Sequence, residues 1–260
     1  MYKLGKKPAK FDDRTPSLRE VMGTTMYGVT TARGWYQAVQ QWPMLANDEI
    51  SNCTIAACLH AEQLWQTAAG NGVRIIPDRA CAVAGYAHAT GYDPITGKGD
   101  NGAYLIDILN YWMKVGLPIT SAGALSRLDG YAWIDPKDHE AVLAAIDTFG
   151  CVYTGTELPN SAQIEVQEGR EWMETDQAPG GWGGHCMLGV SGPSDGVGQI
   201  TWARLQREGW HWWDKYTSEC YALLRRDWLT SRDISPSGFN MAQLDNMITG
   251  HRGLLGLGAY

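Results

Sequence analysis

The texture of this chain changes at Gly150. Before it, "AYLIDILNYWMKVGLP" (103–118) has the one-sided apolar spacing of an amphipathic helix, ended by Gly116 and Pro118. "DPKDHEAVLAAIDTFG" (135–150) repeats the pattern, opened by an Asp cap and stopped by Gly150. After it come short β-branched or aromatic runs with Gly, Pro and Asp between them: "CVYTGTEL", "HCMLGVSG", "VGQITWA" and "ECYALLRR". Helices first and strands afterwards predict an α+β protein, a helical lobe packed against a mainly antiparallel β lobe with a cleft between. The expected boundaries are an N-terminal arm at 1–22, a helical lobe at about 23–134, a β lobe at about 135–230 and a C-terminal tail at 231–260. A chain of 260 residues is long enough for two such lobes.

Charge and composition narrow the partners. Net charge is −7 and no basic run exceeds the Lys6-Lys7 pair, which argues against nucleic acid. The first residues, "MYKLGKKPAKFDDRTPSL", lack the apolar core of a signal peptide, and no 18 apolar residues run together, so neither secretion nor a membrane partner is expected. Six cysteines are too sparse for a disulfide scaffold in a chain of this length, and free thiols are expected.

One cysteine is placed differently from the rest. "NDEISNCTIAACLHAEQL" (47–64) runs from a polar turn into an Ala-rich helix, with Cys53 at its first turn. There a thiol is either a small apolar filler or a group that free backbone N–H groups and the helix dipole bias toward thiolate. The helix is expected to run to about Ala69, where "GNG" stops it. His60 travels on its inner side, as a hydrogen-bonded core histidine or as a residue lining the cleft.

A metal role finds little support. Cys53 and Cys58 stand about 140° apart round a helix, and Cys53 and His60 about 10 Å apart along it. Neighbours His185 and Cys186 point to opposite faces of a strand, and the turn-rich "GYDPITGKGDNG" (91–102) lacks the ligand pattern of a calcium loop. No metal and no other cofactor is expected.

A thiolate nucleophile needs a base and donors for the developing oxyanion. The best-framed base is His185 in "GGWGGHCMLGV", at the head of an apolar strand behind glycines that let another backbone approach. A structural histidine is the alternative reading.

With these parts in this order, the chain resembles the papain-like cysteine peptidases. In that family a Cys opens the long helix of the helical lobe, and a His of the sheet lobe faces it from about 130–150 residues downstream, as Cys53 and His185 are spaced here. The resemblance implies that Asn47, six residues before the Cys, completes an oxyanion hole with the Cys53 N–H. It implies that "QITWAR" holds the partner of the His. The orienting Asn of the family falls on Ile200 or Thr201, neither an amide, with Thr201 able to hydrogen-bond and Trp202 as the shield. "ISNCT" lacks the family's additional Cys and Trp, and "RLQREGWHWWDKYTSE" is an insertion. A divergent branch encoded by tailed phages and bacteria looks closer, sharing "KLGK", "DNG", "LNYW", "LPNSAQ" and "GGHC".

The resemblance therefore implies a cysteine hydrolase acting on a peptide or related amide, with Cys53 as thiolate, His185 as base and acid, Asn47 at the oxyanion and Thr201 orienting. Ser161 and Gln163 of "LPNSAQ" line the cleft or sit in a solvated loop. The alternative is a binding or structural protein of the same fold, such as a capsid-decoration or tail-associated virion subunit. It would reach neighbouring virion subunits through its basic arm and through Trp210, Trp212 and Trp213. Its expected location is the host cytoplasm or the virion. As an inhibitory segment, residues 1–22 look too short to block a cleft alone.

Overall fold

The computed structural model describes residues 2–23, 28–68, 76–173, 176–226, 228, 241–254 and 256. The "GNG" stop and the tail at 231–240, 255 and 257–260 lie outside the described residues.

The helical part comprises α1 (Leu18–Met22), α2 (Cys53–Ala68), α3 (Arg79–Thr90) and α4 (Leu105–Lys114). Helix α1 opens with a capping box, Ser17 and Glu20 each satisfying the other's backbone N–H. Helix α2 is the pivot of the fold. Its residues are buried on nearly every face, and Ala56, Ala57 and Ala61 let neighbours approach its backbone. A short ladder of β1 (Leu117–Pro118) and β2 (Leu125–Ser126) follows α4.

Six strands form the main sheet: β3 (Gly130–Ile134), β4 (Val152–Leu158), β5 (Gly183–Ser191), β6 (Gly196–Thr201), β7 (Arg204–Gly209) and β8 (Thr217–Leu224). Their order is β3-β8-β4-β5-β6-β7, and each neighbouring pair is antiparallel. The architecture is α+β, as expected. The sheet starts earlier than residue 135, because "GYAWI" (130–134) pairs with β8 at its edge.

Helix α5 (His139–Phe149) is capped by Asp138, whose side chain accepts the Ala141 N–H, and closed by Gly150 at φ 87°. Ser161 and Gln163 of "LPNSAQ" are helical rather than in a loop, the stretch running from the last residue of β4 through the Pro159 cap. The stretch starts α6 (Asn160–Gln167), where Ser161 and Gln163 are half-buried and the Ser161 N–H donates to Gln177 Oε1 at 3.1 Å. Helix α8 (Met241–Leu254) packs on β3 and α1, with Ile248 buried.

Two of the three expected docking tryptophans of the insertion point inward, while Trp210 is half-buried. The insertion forms β7 and α7 (Trp210–Tyr216), where Trp212 stacks on Trp172 at 4.8 Å and Trp213 donates to the Pro136 carbonyl at 2.7 Å. Trp212 and Trp213 are fully buried, because an indole hides its large apolar body wherever its N–H or ring finds a partner.

Helix α2 crosses the sheet at β5. The Tyr153 hydroxyl on β4 donates to the Thr54 carbonyl at 3.0 Å and pins the first turn of α2 to the sheet. The meeting of these two elements brings Cys53 and His185 to one region from distant parts of the chain.

Candidate active site

The approach to Cys53 is a tight turn. Leu45 and Ala46 both take positive φ, 57° and 60°, and the Asn47 and Ile50 amides close back onto Met44 and Ala46. Asn47 is buried and its Nδ2 donates to Asn52 Oδ1 at 3.3 Å, while Asn52 Nδ2 donates to the Leu45 carbonyl at 2.8 Å. Asn52, which the sequence reading passed over, holds Asn47 beside the start of α2. Its only signal was its place directly before Cys53.

His185 sits on β5 opposite Thr156 and is fully buried. Its Nε2 lies 2.7 Å from Thr201 Oγ1, across the β5–β6 pair. Nδ1 has no hydrogen-bond partner among the described residues. The Trp202 ring lies on the imidazole at 4.2 Å and 14°. Thr201 and Trp202, the expected orienting and shielding residues, are thus the hydrogen-bond and stacking partners of His185.

The turn joining β6 to β7 has only two residues, Trp202 and Ala203, at φ 45° and 61°. Two left-handed residues are what the twist of a tight hairpin wants, usually from Asn-Gly. Trp-Ala at this corner stores strain of order 1–3 kcal/mol per residue. The rings on Trp202 hold it there: His185 on one contact, Tyr2 at 4.4 Å and 14° on another, and Trp182 tilted at 5.4 Å.

Tyr2 belongs to the N-terminal arm, and the arm fills the cleft. The Lys6 N–H donates to the Gly184 carbonyl at 3.1 Å on the sheet side. On the helical side the Ala103 N–H donates to the Gly5 carbonyl at 2.8 Å, and the Lys7 N–H to the Ala103 carbonyl at 2.9 Å. Contact is backbone to backbone. A Cβ on Gly5 would fall 2.0 Å from the Ser51 oxygen, and one on Gly184 would fall 2.5 Å from the Lys6 oxygen. Residues 1–22 are expected from sequence to be too short to block a cleft alone, yet residues 5–7 already bridge Gly184 on the sheet side and Ala103 on the helical side. This part of the arm does not reach outward toward another subunit.

Closure sets the electrostatics. Burial pushes the Cys53 thiol up to about 11, against the N–H groups of Cys186, Gly5 and Thr54 and the charge of Lys6, all of which favour the thiolate. Burial alone drops His185 to about 3. Burial thus opposes the expected thiolate in this structure. The helix start and neighbouring amides act in the expected sense, but desolvation outweighs them. Cys186 adjoins His185, so the amide facing the Cys53 sulfur places that sulfur against the His185 segment of β5.

His60 has a setting of its own in the helical lobe. Its Nε2 lies 2.9 Å from the Pro43 carbonyl, its ring meets Trp42 edge-on at 5.5 Å, and burial lowers it to about 4. All six cysteines are free and buried. No group of three or more His, Cys, Asp or Glu among the described residues is arranged to hold a metal ion. No described helix is long and apolar enough to cross a membrane.

The fold is that of the papain-like cysteine proteases. The chain is similar to xylellain, a cysteine protease from Xylella fastidiosa, at 13% identity and a TM-score of 0.64, over 86% of this chain and 97% of that one. It is also similar to procathepsin L2 from the larval midgut of Tenebrio molitor, at 14% identity and TM-score 0.55, over 86% of this chain and 78% of that one. A Carica candamarcensis cysteine protease in complex with E-64 matches at 12% identity and TM-score 0.52, over 75% of this chain and 98% of that one. No family model matches the chain, and no curated protein matches it.

Proposed function

We propose that this protein is a cysteine hydrolase of papain type, cleaving a peptide or related amide bond, held at rest by its own N-terminal arm. The supporting observation is the setting of His185. One ring nitrogen is taken by Thr201, the ring face is covered by Trp202, and the second nitrogen has no hydrogen-bond partner among the described residues. A base needs that arrangement, with Nε2–H donating to Thr201 and Nδ1 carrying the free lone pair.

With the arm withdrawn, water lowers the desolvation that keeps Cys53 neutral, and its proton passes to His185. The sulfur then forms a bond to the substrate carbonyl carbon, and the Cys53 N–H with the Asn47 amide receives the oxyanion. As the C–N bond breaks, His185 returns the proton to the leaving amine. Water, deprotonated by His185, then cleaves the thioester to give the free acid and the thiol. The arm escapes this chemistry because its Gly5 N–H, not a carbonyl carbon, faces the sulfur, and the Gly5 carbonyl is engaged by Ala103. The structural neighbours include proforms by their own descriptions, among them a procathepsin L2 and a ragweed pollen protease, which fits an N-terminal segment as a resting-state device.

The test uses the full chain carrying Gly5→Val, whose side chain cannot pass Ser51, with Lys6→Glu as a second arm-release variant. Either should hydrolyse members of a peptide library and take up E-64 at Cys53, and Cys53→Ala should abolish both. Hydrolysis that survives Cys53→Ala would overturn the proposal.

The sealed, uncharged pair favours a second reading: a binding or structural protein, such as a phage virion subunit, that keeps the fold without the activity. That reading stands if both arm-release variants fold, turn over no peptide and leave Cys53 unlabelled.

A further inference from the structure

Lys6 is the most unusual residue of the arm. Its side chain is fully buried, and its ammonium meets Glu157 Oε1 at 2.6 Å and Glu219 Oε1 at 3.2 Å, with the Lys7 carbonyl as a third acceptor at 3.2 Å. Glu219 is itself buried, with 1% of its side chain exposed. Lys, Glu and Asp are almost never buried unless paired, so two carboxylates in one recess need a cation there.

The recess is a property of the sheet. Gly155 and Glu157 are two apart on β4 and share a face, and Glu219 on β8 is the registered partner of Gly155, so the carboxylates converge over a position with no side chain. A Cβ at Gly155 would stand 2.4 Å from Lys6 Cε and 3.1 Å from Leu105 Cδ2, so a side chain there would force the Lys6 stem to shift. The register slips between Gly155 and Thr156, a bulge that re-aims the end of β8 at this corner. Lys6 enters by its own backbone bond to Gly184, the residue before His185. The recess is thus one residue from the base, inside the cleft that a substrate would have to occupy.

We propose that this Glu157–Glu219–Gly155 recess selects substrates, taking the side chain of a basic residue, lysine above all, from the peptide that replaces the arm. The inference rests on the hydrolase reading for its catalytic consequence, although the recess would bind a lysine-bearing peptide without any chemistry. When the arm leaves, two carboxylates face an empty slot shaped for a narrow aliphatic stem with a cation at its end. A neutral side chain of the same length fills the slot but leaves Glu219 unpaired, and an acidic one adds repulsion.

Two measurements on the full chain carrying Gly5→Val, or Lys6→Glu should the former not fold, test this. First, peptides differing at one position as Lys, norleucine or Glu are compared by kcat/KM. Lys is expected to exceed norleucine by at least about tenfold, the worth of a charge-assisted hydrogen bond, with Glu poorest. Adding Glu219→Gln should shrink the Lys-to-norleucine ratio below about threefold, whereas a merely structural role would lower both peptides alike. Second, the peptide of residues 2–10 is titrated by calorimetry into the same protein also carrying Cys53→Ala, with Lys or norleucine at the Lys6 position. The same tenfold preference is expected with no catalysis involved. Cys53-dependent hydrolysis without a lysine preference overturns this inference and leaves the hydrolase reading intact. Lysine-selective binding without hydrolysis does the reverse.

Discussion

The indole of Trp202 lies flat on the imidazole of His185, 4.2 Å away and 14° from parallel, from a hairpin corner whose backbone is left-handed. The strain of that corner and the stack it creates can be separated by substitution. Trp202→Gly relieves the positive φ while Trp202→Ala keeps it, and both remove the ring. Glycine should melt higher, by about 1 kcal/mol in stability. The two should share a similar loss of kcat in an arm-released background, measured by steady-state assay.

Thr201 supplies the only hydrogen bond on His185 Nε2 among the described residues. Thr201→Val keeps the shape and deletes the bond, freeing the tautomer. Activity of an arm-released protein should fall by about 10- to 100-fold, in line with the loss of an orienting partner. Thr201→Ser should recover most of it. Unchanged kcat in the Val variant would remove Thr201 from the proposed machinery.

Cys53 reactivity reports arm position directly. In the intact protein the buried thiol, raised to about 11, should react with iodoacetamide no faster at pH 6–8 than the other five cysteines. Gly5→Val should raise labelling at Cys53 by at least tenfold at pH 6, read by peptide mass spectrometry. Rapid labelling of Cys53 in the intact chain would show that the arm is not its cover.

Glu208 makes stability depend on pH. It is buried on β7, takes a 2.5 Å hydrogen bond from Gln199 Nε2, and is raised by burial from 4.5 to about 8. Between those values the unfolded chain releases a proton that the folded one keeps, so this group favours folding at low pH and opposes it increasingly as pH rises from 4.5 to 8. Glu208→Gln should therefore stabilise more at pH 7 than at pH 5, by about 2 kcal/mol, in chemical denaturation at the two values. An equal effect at both would place the carboxyl's titration elsewhere.

Much of this was legible from local pattern. Caps, stops and alternation wrote the ends of α5 and the strands carrying His185 and Thr201, because these depend on residues within a few positions of each other. Spacing and resemblance brought Cys53 and His185 forward and chose Thr201 over Ile200, which proves to be core on β6. Trp212 and Trp213 misled, since an insertion rich in tryptophan reads the same whether its rings face solvent or stack on Trp172. Glu157 and Glu219 gave a faint signal, each a charge at the end of an otherwise apolar strand run.

By itself, the sequence determined the amphipathic helices at 103–118 and 135–150, the strands after Gly150, and which thiol stands at a helix start. Those follow from short-range sterics, capping and periodicity. Only the tertiary structure decided that residues 5–7 bridge Gly184 and Ala103, that Lys6 is caged by two carboxylates from different strands, and that burial pushes the Cys53 thiol up and His185 down. Ion pairing and desolvation depend on what lies within a few ångströms in space, and the Lys6 partners are more than 150 positions away along the chain.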